Sequence, residues 1–213
     1  MSAPIVIAID GTSASGKSTN AKLVASKLGY VYVDTGAMYR TLAWHCQRKR
    51  VDPADESAIS ELCQSWDTRL VCEGGHVHLL VDGHFPEKEI RTAETSAVVS
   101  YVAAVPFVRD WMKTQQRKSV QFGNLVMEGR DIGSNIFPKT PFKFYLDASL
   151  EERQARRAAD GVEENLAIRD QRDSSRKASP LVIPEGAMII NNSGETPEET
   201  SGRIIAEVER RLQ

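Results

Sequence analysis

The residues whose types and spacing could do chemistry come first at 11–18. Gly11-Thr12-Ser13-Ala14-Ser15-Gly16-Lys17-Ser18, with Thr19 after it, has the Gly-x-x-x-x-Gly-Lys-Ser spacing of a phosphate-binding P-loop. Gly11 and Gly16 let the backbone turn tightly and bring its N–H groups close to phosphate oxygens. Lys17 adds a point charge for the outer phosphates, and the Ser18 hydroxyl can ligate Mg²⁺. A second group is Glu128-Gly129-Arg130-Asp131-Ile132-Gly133, a charged Arg-Asp pair set between two glycines. A third is Asp34-Thr35-Gly36-Ala37-Met38-Tyr39-Arg40. A fourth is the polar stretch 163–177, where Arg169, Asp173 and Arg176 fall at i, i+4 and i+7 on one helical face. That stretch reads either as a solvated helix held by ion pairs or as a mobile, Arg-bearing cover over phosphates.

These groups need elements to position them. The apolar run 5–9 ends at Asp10 and reads as a strand buried on both faces, with a helix-forming run at 21–28 after the loop. The helix points its positive N-terminal end at the bound anion. A second strand, 30–33, feeds a helix with Thr35 as its N-cap. Ligands collect beyond the carboxyl ends of strands in α/β sheets, so Asp34, Thr35 and Arg40 are expected near the P-loop.

Residues 54–66 read as a helix. Residues 69–71 and 77–81 read as a hairpin around Glu73-Gly74-Gly75-His76, inserted at the sheet's edge. His76, His78 and His84 lack a partner carboxylate or Cys at a metal-binding spacing and are expected to face solvent. Two helices follow, 92–104 and 106–122, with Ser100 and Arg109 flanking their junction. Strands are expected at 125–127, 142–146 and 188–190. Between the last two lies a helix at 150–160, carrying Arg153, Arg156 and Arg157 and starting with a Ser149/Glu152 capping box. A closing helix spans 196–212, with Thr196 as N-cap and Glu199 completing a box.

Composition narrows the class. A chain of 213 residues, 41% of them hydrophobic, can bury one core with an insertion, or two small ones. A net charge of −2 gives neither a nucleic-acid coat nor a membrane surface, and no apolar run approaches a membrane span. Cys46, Cys63 and Cys72 are odd in number with no Cys-x-x-Cys pair, so reduced thiols in a cytoplasmic protein fit better than disulfides or zinc. No signal segment precedes the first strand, and the neutral, patch-free composition favours a monomer. Arg outnumbers Lys by 17 to 10, and the guanidinium fork is suited to gripping phosphate.

Strands separated by helices give an α/β fold: a five-stranded parallel sheet wrapped by helices, carrying a small hairpin-containing insertion and a short lid. A P-loop with many loop-end arginines suits phosphoryl transfer. Guanine-reading Asn-Lys-x-Asp is absent, as is Asp-x-x-Gly after the third strand, which disfavours a nucleotide-gated switch.

Together the P-loop, Asp34-Thr35-Gly36-Ala37-Met38-Tyr39-Arg40, Glu89-Ile90-Arg91-Thr92, Glu128-Gly129-Arg130-Asp131-Ile132-Gly133, Phe144-Tyr145-Leu146-Asp147-Ala148-Ser149 and Arg169-Asp170-Gln171-Arg172-Asp173 resemble the bacterial cytidylate kinases, P-loop nucleoside monophosphate kinases, over nearly the whole chain. The resemblance implies ATP + (d)CMP ⇌ ADP + (d)CDP with Mg²⁺, in pyrimidine metabolism. It divides the chain into a core (1–34, 123–150, 180–213), a CMP-binding part (35–122, hairpin at about 68–82) and a lid (151–179). By position, Thr35, Arg40 and Arg130 would hold the acceptor's phosphate. Ser100, Arg109 and Asp131 would read the cytosine edge. Asp173 would bind the sugar hydroxyls, and Arg169 with Arg176 would close over the phosphates. Lys17, Arg130 and Arg169 are the expected catalytic groups. Arg153 and Arg157 are assigned to the donor nucleotide with loop residues 11–19. Such a lid predicts that 162–177 is mobile without ligand and ordered with both nucleotides.

Overall fold

The computed structural model describes residues 3–159, 165–176 and 178–213. The expected helix end at 160, the lid segment 161–164 and Lys177 lie outside these. In chain order the elements are β1 (Val6–Gly11), α1 (Lys17–Leu28), β2 (Val31–Asp34), α2 (Thr35–Arg48), α3 (Glu56–Ser65), β3 (Thr68–Glu73), β4 (His76–Val81), α4 (Ala93–Val102), α5 (Pro106–Lys118), β5 (Leu125–Gly129), β6 (Phe142–Asp147), α6 (Leu150–Ala159), α7 (Leu166–Ser174), β7 (Met188–Asn191) and α8 (Pro197–Leu212). They form an α/β fold with two compact units, Met1–Val33 with Val120–Gln213, and Asp34–Ser119.

The sheet has seven strands, not the expected five, in the order β3-β4-β2-β5-β1-β6-β7. Counting only strands joined by helices gave five; the hairpin's two antiparallel strands make it a mixed sheet. In the first unit β1 lies between β5 and β6, parallel to both, and β7 continues beside β6. Every residue of β1 is buried, as its unbroken apolar run requires of a strand covered on both faces. Ile7, Ile9, Phe144, Leu146 and Ile190 from the strands pack with Val24 of α1 and with Ile204 and Val208 of α8. The register pairs Asp10 with Gly129 on one side and Tyr145 on the other. Three carboxyl ends therefore finish level, and the loops leaving them emerge together. Helix α8 opens with the full Thr196/Glu199 capping box. At α6 only half a box forms. Ser149 Oγ accepts the Glu152 N–H at 3.3 Å, while the Glu152 carboxylate goes to the Gly194 N–H and to Arg156.

In the second unit Asp34, not Thr35, is the N-cap of α2, accepting the Ala37 N–H at 2.8 Å. A carboxylate is the stronger acceptor for the unpaired N–H groups and the positive end of the helix, and Thr35 becomes the first helical residue. The hairpin turns on Gly74 and Gly75, both at positive φ (56° and 78°), as a two-residue turn between Glu73 and His76 needs. Helix α5 ends at Lys118, short of the expected 122, and a 3-10 turn completes it. The His78 ring packs on Phe85 at 4.3 Å, and His84 Nε2 lies 3.7 Å from Glu89. No helix among the described residues is long and apolar enough to cross a membrane.

Candidate active site

The P-loop leaves β1 at Gly11, where a Cβ would stand 2.0 Å from the Leu146 carbonyl oxygen of the neighbouring strand. Only glycine fits that approach. Gly16 caps α1 in the left-handed region (φ 84°), so the chain turns straight from loop into helix. Side chains from the other strand ends brace the loop. Thr12 Oγ1 donates to Asp147 at 3.1 Å, and Asn192 Nδ2 donates to the Ser15 carbonyl at 2.9 Å. Arg153 of α6 is buried. Its Nε donates to the Ala148 carbonyl and its Nη1 to the Ser13 carbonyl, each at 3.1 Å. Arg153 thus grips the loop's backbone. Arg157 is half-buried one turn further on.

Lys17 is buried, and its Nζ donates to the Thr12 carbonyl and to Ser15 Oγ. Burial lowers its pKa to about 7, helped by the charges of Arg130 and Arg169 and opposed by Glu128 and Asp170. A lysine so disposed in a phosphate-binding loop is short of anions, and a bound polyphosphate would supply them. Ser18 and Thr19 are exposed at the helix's N-terminal end. The Ser18 hydroxyl is the hard oxygen that Mg²⁺ takes when substrate phosphates and water fill its other positions, so the residues present fit that ion.

The expected arginines collect here. Arg130 follows β5, and its Nε donates to Asp173 of α7 at 2.8 Å. Asp173 also accepts from Arg176 three residues on. Burial alone would raise the Asp173 pKa, but Arg130 and Arg176 outweigh it and hold the carboxyl below its ordinary range. Asp173 also holds the Arg130 pKa above its ordinary value against the effect of burial. Arg169, half-buried on the same helix, lies within electrostatic reach of both Lys17 and Asp173. The first unit therefore brings together Lys17, Arg130, Asp131, Arg153, Arg169, Asp173 and Arg176. The Arg-Asp pair is not an ion pair with itself: Asp131 accepts from Asn135 at 2.9 Å while Arg130 reaches Asp173.

The second unit holds the remaining predicted residues. Arg40 of α2 is buried, its Nη1 donating to Ser96 Oγ at 2.7 Å and to the Ile90 carbonyl at 3.3 Å. Ser100 lies one turn beyond Ser96 on the same face of α4. Arg109 is buried over the ring of Tyr39, 5.6 Å from its centroid, and donates to the Ala103 carbonyl at 3.3 Å. Thr35 is buried in the first turn of α2. Helices α2, α4 and α5 thus assemble Thr35, Arg40, Ser100 and Arg109 within this unit.

Two carboxylates that sequence reasoning left unassigned stand in the first unit's site. Asp170 Oδ1 accepts the Ser13 N–H at 3.0 Å, and Asp10 accepts the Ile132 and Gly133 N–H groups at 2.7 Å each. Asp10 was visible as a charge closing an apolar strand, and Asp170 as part of an Arg-Asp-rich run. Neither spacing points to its partner 157 or 122 residues away.

Comparison with known proteins agrees with this geometry. The cytidylate kinase family model matches residues 7–210. A cytidylate kinase of Caldanaerobacter subterraneus subsp. tengcongensis is 43% identical over 211 residues, covering 94% of this chain and 92% of that one. One of Bacillus velezensis is 39% identical, covering 99% of each. Among solved structures, TT1252 from Thermus thermophilus (18% identical, TM-score 0.51, all of both chains) shares the fold. So does an uncharacterised protein from Eubacterium ventriosum (13%, TM-score 0.52, 96% of this chain and 98% of that one). With a P-loop site of this construction and a family match over nearly its whole length, the chain belongs to the cytidylate kinase family.

Proposed function

We propose that the chain transfers the γ-phosphoryl group of ATP to CMP or dCMP, giving ADP and CDP or dCDP, by direct in-line displacement. The observation that carries this is the buried Lys17 of the P-loop gathered with Arg130 and Arg169, in a chain of the cytidylate kinase family. Phosphoryl transfer asks the protein chiefly to align two anions and neutralise their charge, and these groups are suited to that task. No general base is needed, because the attacking phosphate oxygen is already anionic.

Residue roles follow from chemistry. The N–H groups of residues 11–19 cradle the donor phosphates, with Arg153 fixing the loop and Arg157 facing the donor. Ser18 would hold Mg²⁺, which when bound neutralises charge on the donor phosphates. Thr35, Arg40 and Arg130 take the acceptor's phosphate. Asp131 accepts from the cytosine amino group, while Arg109 and Ser100 donate to its carbonyl and ring nitrogen. Asp173 turns to the sugar hydroxyls, and Arg169 and Arg176 cover the phosphates from a lid at 151–179. The remaining chain divides into a core (1–34, 123–150, 180–213) and a CMP-binding part (35–122). The same reading makes the enzyme a cytoplasmic monomer that handles no nucleic acid; its three free cysteines accord with a reducing compartment.

A coupled ADP-release assay over CMP, UMP, AMP and GMP, with dCMP beside them, tests the reading. CMP and dCMP should be turned over fastest. ATP binding without stimulation by any monophosphate would overturn it.

A further inference from the structure

Asp10 is the penultimate residue of β1, fully buried, directly before Gly11, where the P-loop begins. Its carboxylate serves the backbone of a distant segment. Oδ1 accepts the Ile132 N–H and Oδ2 the Gly133 N–H, both at 2.7 Å. Those N–H groups open the π-helical turn Ile132–Ile136 that follows Arg130 and Asp131. The first N–H groups of such a turn need an acceptor, and the residue at the N-cap position ordinarily supplies it. Here that residue is Asp131, and it makes no capping bond. Its carboxylate is directed to Asn135 instead.

The approach is built from both sides. A Cβ on Gly133 would stand 3.2 Å from Asp10 Oδ2 and 3.1 Å from Pro184 Cγ, closer than ordinary packing tolerates. The arrangement is costly for the fold. Burial pushes the Asp10 carboxyl up to about 7, opposed by its two N–H bonds and by Lys17 and reinforced by the charge of Asp131. A buried carboxylate from another strand, standing where the N-cap residue ordinarily serves, points to a task beyond stability.

The geometry points to Asp10 as the positioning residue that fixes the Arg130-Asp131 segment against the P-loop, so that the Asp131 carboxylate meets the acceptor base without also capping its own turn. This inference rests on the proposed reading of Arg130 and Asp131 as acceptor-binding groups. Asp10 touches neither nucleotide in this account. It acts by capping the turn in Asp131's place.

The test is a KM-against-Kd split. In Asp10→Asn the amide can accept one N–H but sets an NH₂ group against the other. One charge-assisted bond is lost, so KM for CMP should rise about tenfold or more while Kd for ATP stays within about threefold. Gly133→Ala disturbs the same contact from the opposite side and should give the same split, which keeps the test open if Asp10→Asn does not fold. Asp131→Ala is measured alongside. If it raises KM for CMP while both other variants leave that constant unchanged, Asp10 is not a positioning residue. The inference also fails if Asp10→Asn raises the ATP and CMP constants alike, since the effect is then general damage. If Asp131→Ala itself leaves KM for CMP unchanged, the reading of the acceptor site is what fails.

Discussion

Asp170, on helix α7, accepts the backbone N–H of Ser13 at 3.0 Å and pairs through its other oxygen with Arg153. A carboxylate of the protein therefore holds a P-loop donor of the kind that binds phosphate oxygens. ATP has to compete with it. Asp170→Asn keeps the side chain's size and removes its charge, so ATP measured alone by calorimetry should bind about three- to tenfold tighter. Weaker ATP binding in the variant would mean that Asp170 supports the loop rather than competing for it.

Lys17 makes a second prediction. Its pKa, lowered to about 7 chiefly by burial, returns toward the ordinary lysine range when phosphates surround it. The unliganded lysine is partly neutral at about pH 7.5, so ATP binding should take up a proton and weaken as the pH climbs from about 7 to 9. Calorimetry in buffers of different ionisation enthalpy reads the proton directly. The linkage should vanish in Lys17→Met, and an unchanged proton count in that variant would assign the titration elsewhere. For stability the sign is fixed by the same shift. Above about pH 7 the unfolded chain binds the extra proton at Lys17, so this group's contribution to stability rises with pH between about 7 and 10.

The Arg130–Asp173–Arg176 cluster makes a third. Breaking a buried ion pair by removing one partner costs about 3–5 kcal/mol, because charge is left without compensation. Asp173→Asn, read by denaturant unfolding at neutral pH, should lose a stability of that order. The Asp173 carboxyl is held below its ordinary range despite burial, by Arg130 and then Arg176. Its contribution is complete above the ordinary carboxylate pKa of about 4 and is lost as the pH falls through the lower folded value. Wild-type stability should therefore drop more steeply below about pH 4 than that of Asp173→Asn. Parallel acid profiles would remove Asp173 as the titrating group.

Local features of the chain were the ones legible in the sequence. The β1 run, the glycine spacing of the P-loop, the Gly74-Gly75 turn and the Thr196/Glu199 box each place cause and effect within a few residues. Errors arose where two local solutions compete, as with Asp34 displacing Thr35 at the α2 cap, or where a distant group intervenes. Glu152 leaves its capping box because the Gly194 N–H offers it a bond at 2.6 Å. Asp131 leaves its own turn uncapped because Asp10 already fills that role. The strand count missed two because antiparallel hairpin strands need no crossover helix and broke the pattern being counted. The i, i+4, i+7 spacing puts Arg169, Asp173 and Arg176 on one helical face, and their residue types point to phosphate. Nothing local shows that this face meets Arg130 and Lys17, which depends on contacts such as the Arg130–Asp173 bond across 43 residues.

One measurement bears most directly on the account. The chain is incubated with CMP and ATP labelled at its γ-phosphorus, and the label is followed. It should appear in the β-phosphoryl group of CDP, and Lys17→Met should lose nearly all of that transfer. Label released only as inorganic phosphate, at a rate indifferent to CMP, would show that water accepts the phosphoryl group and would contradict the assignment.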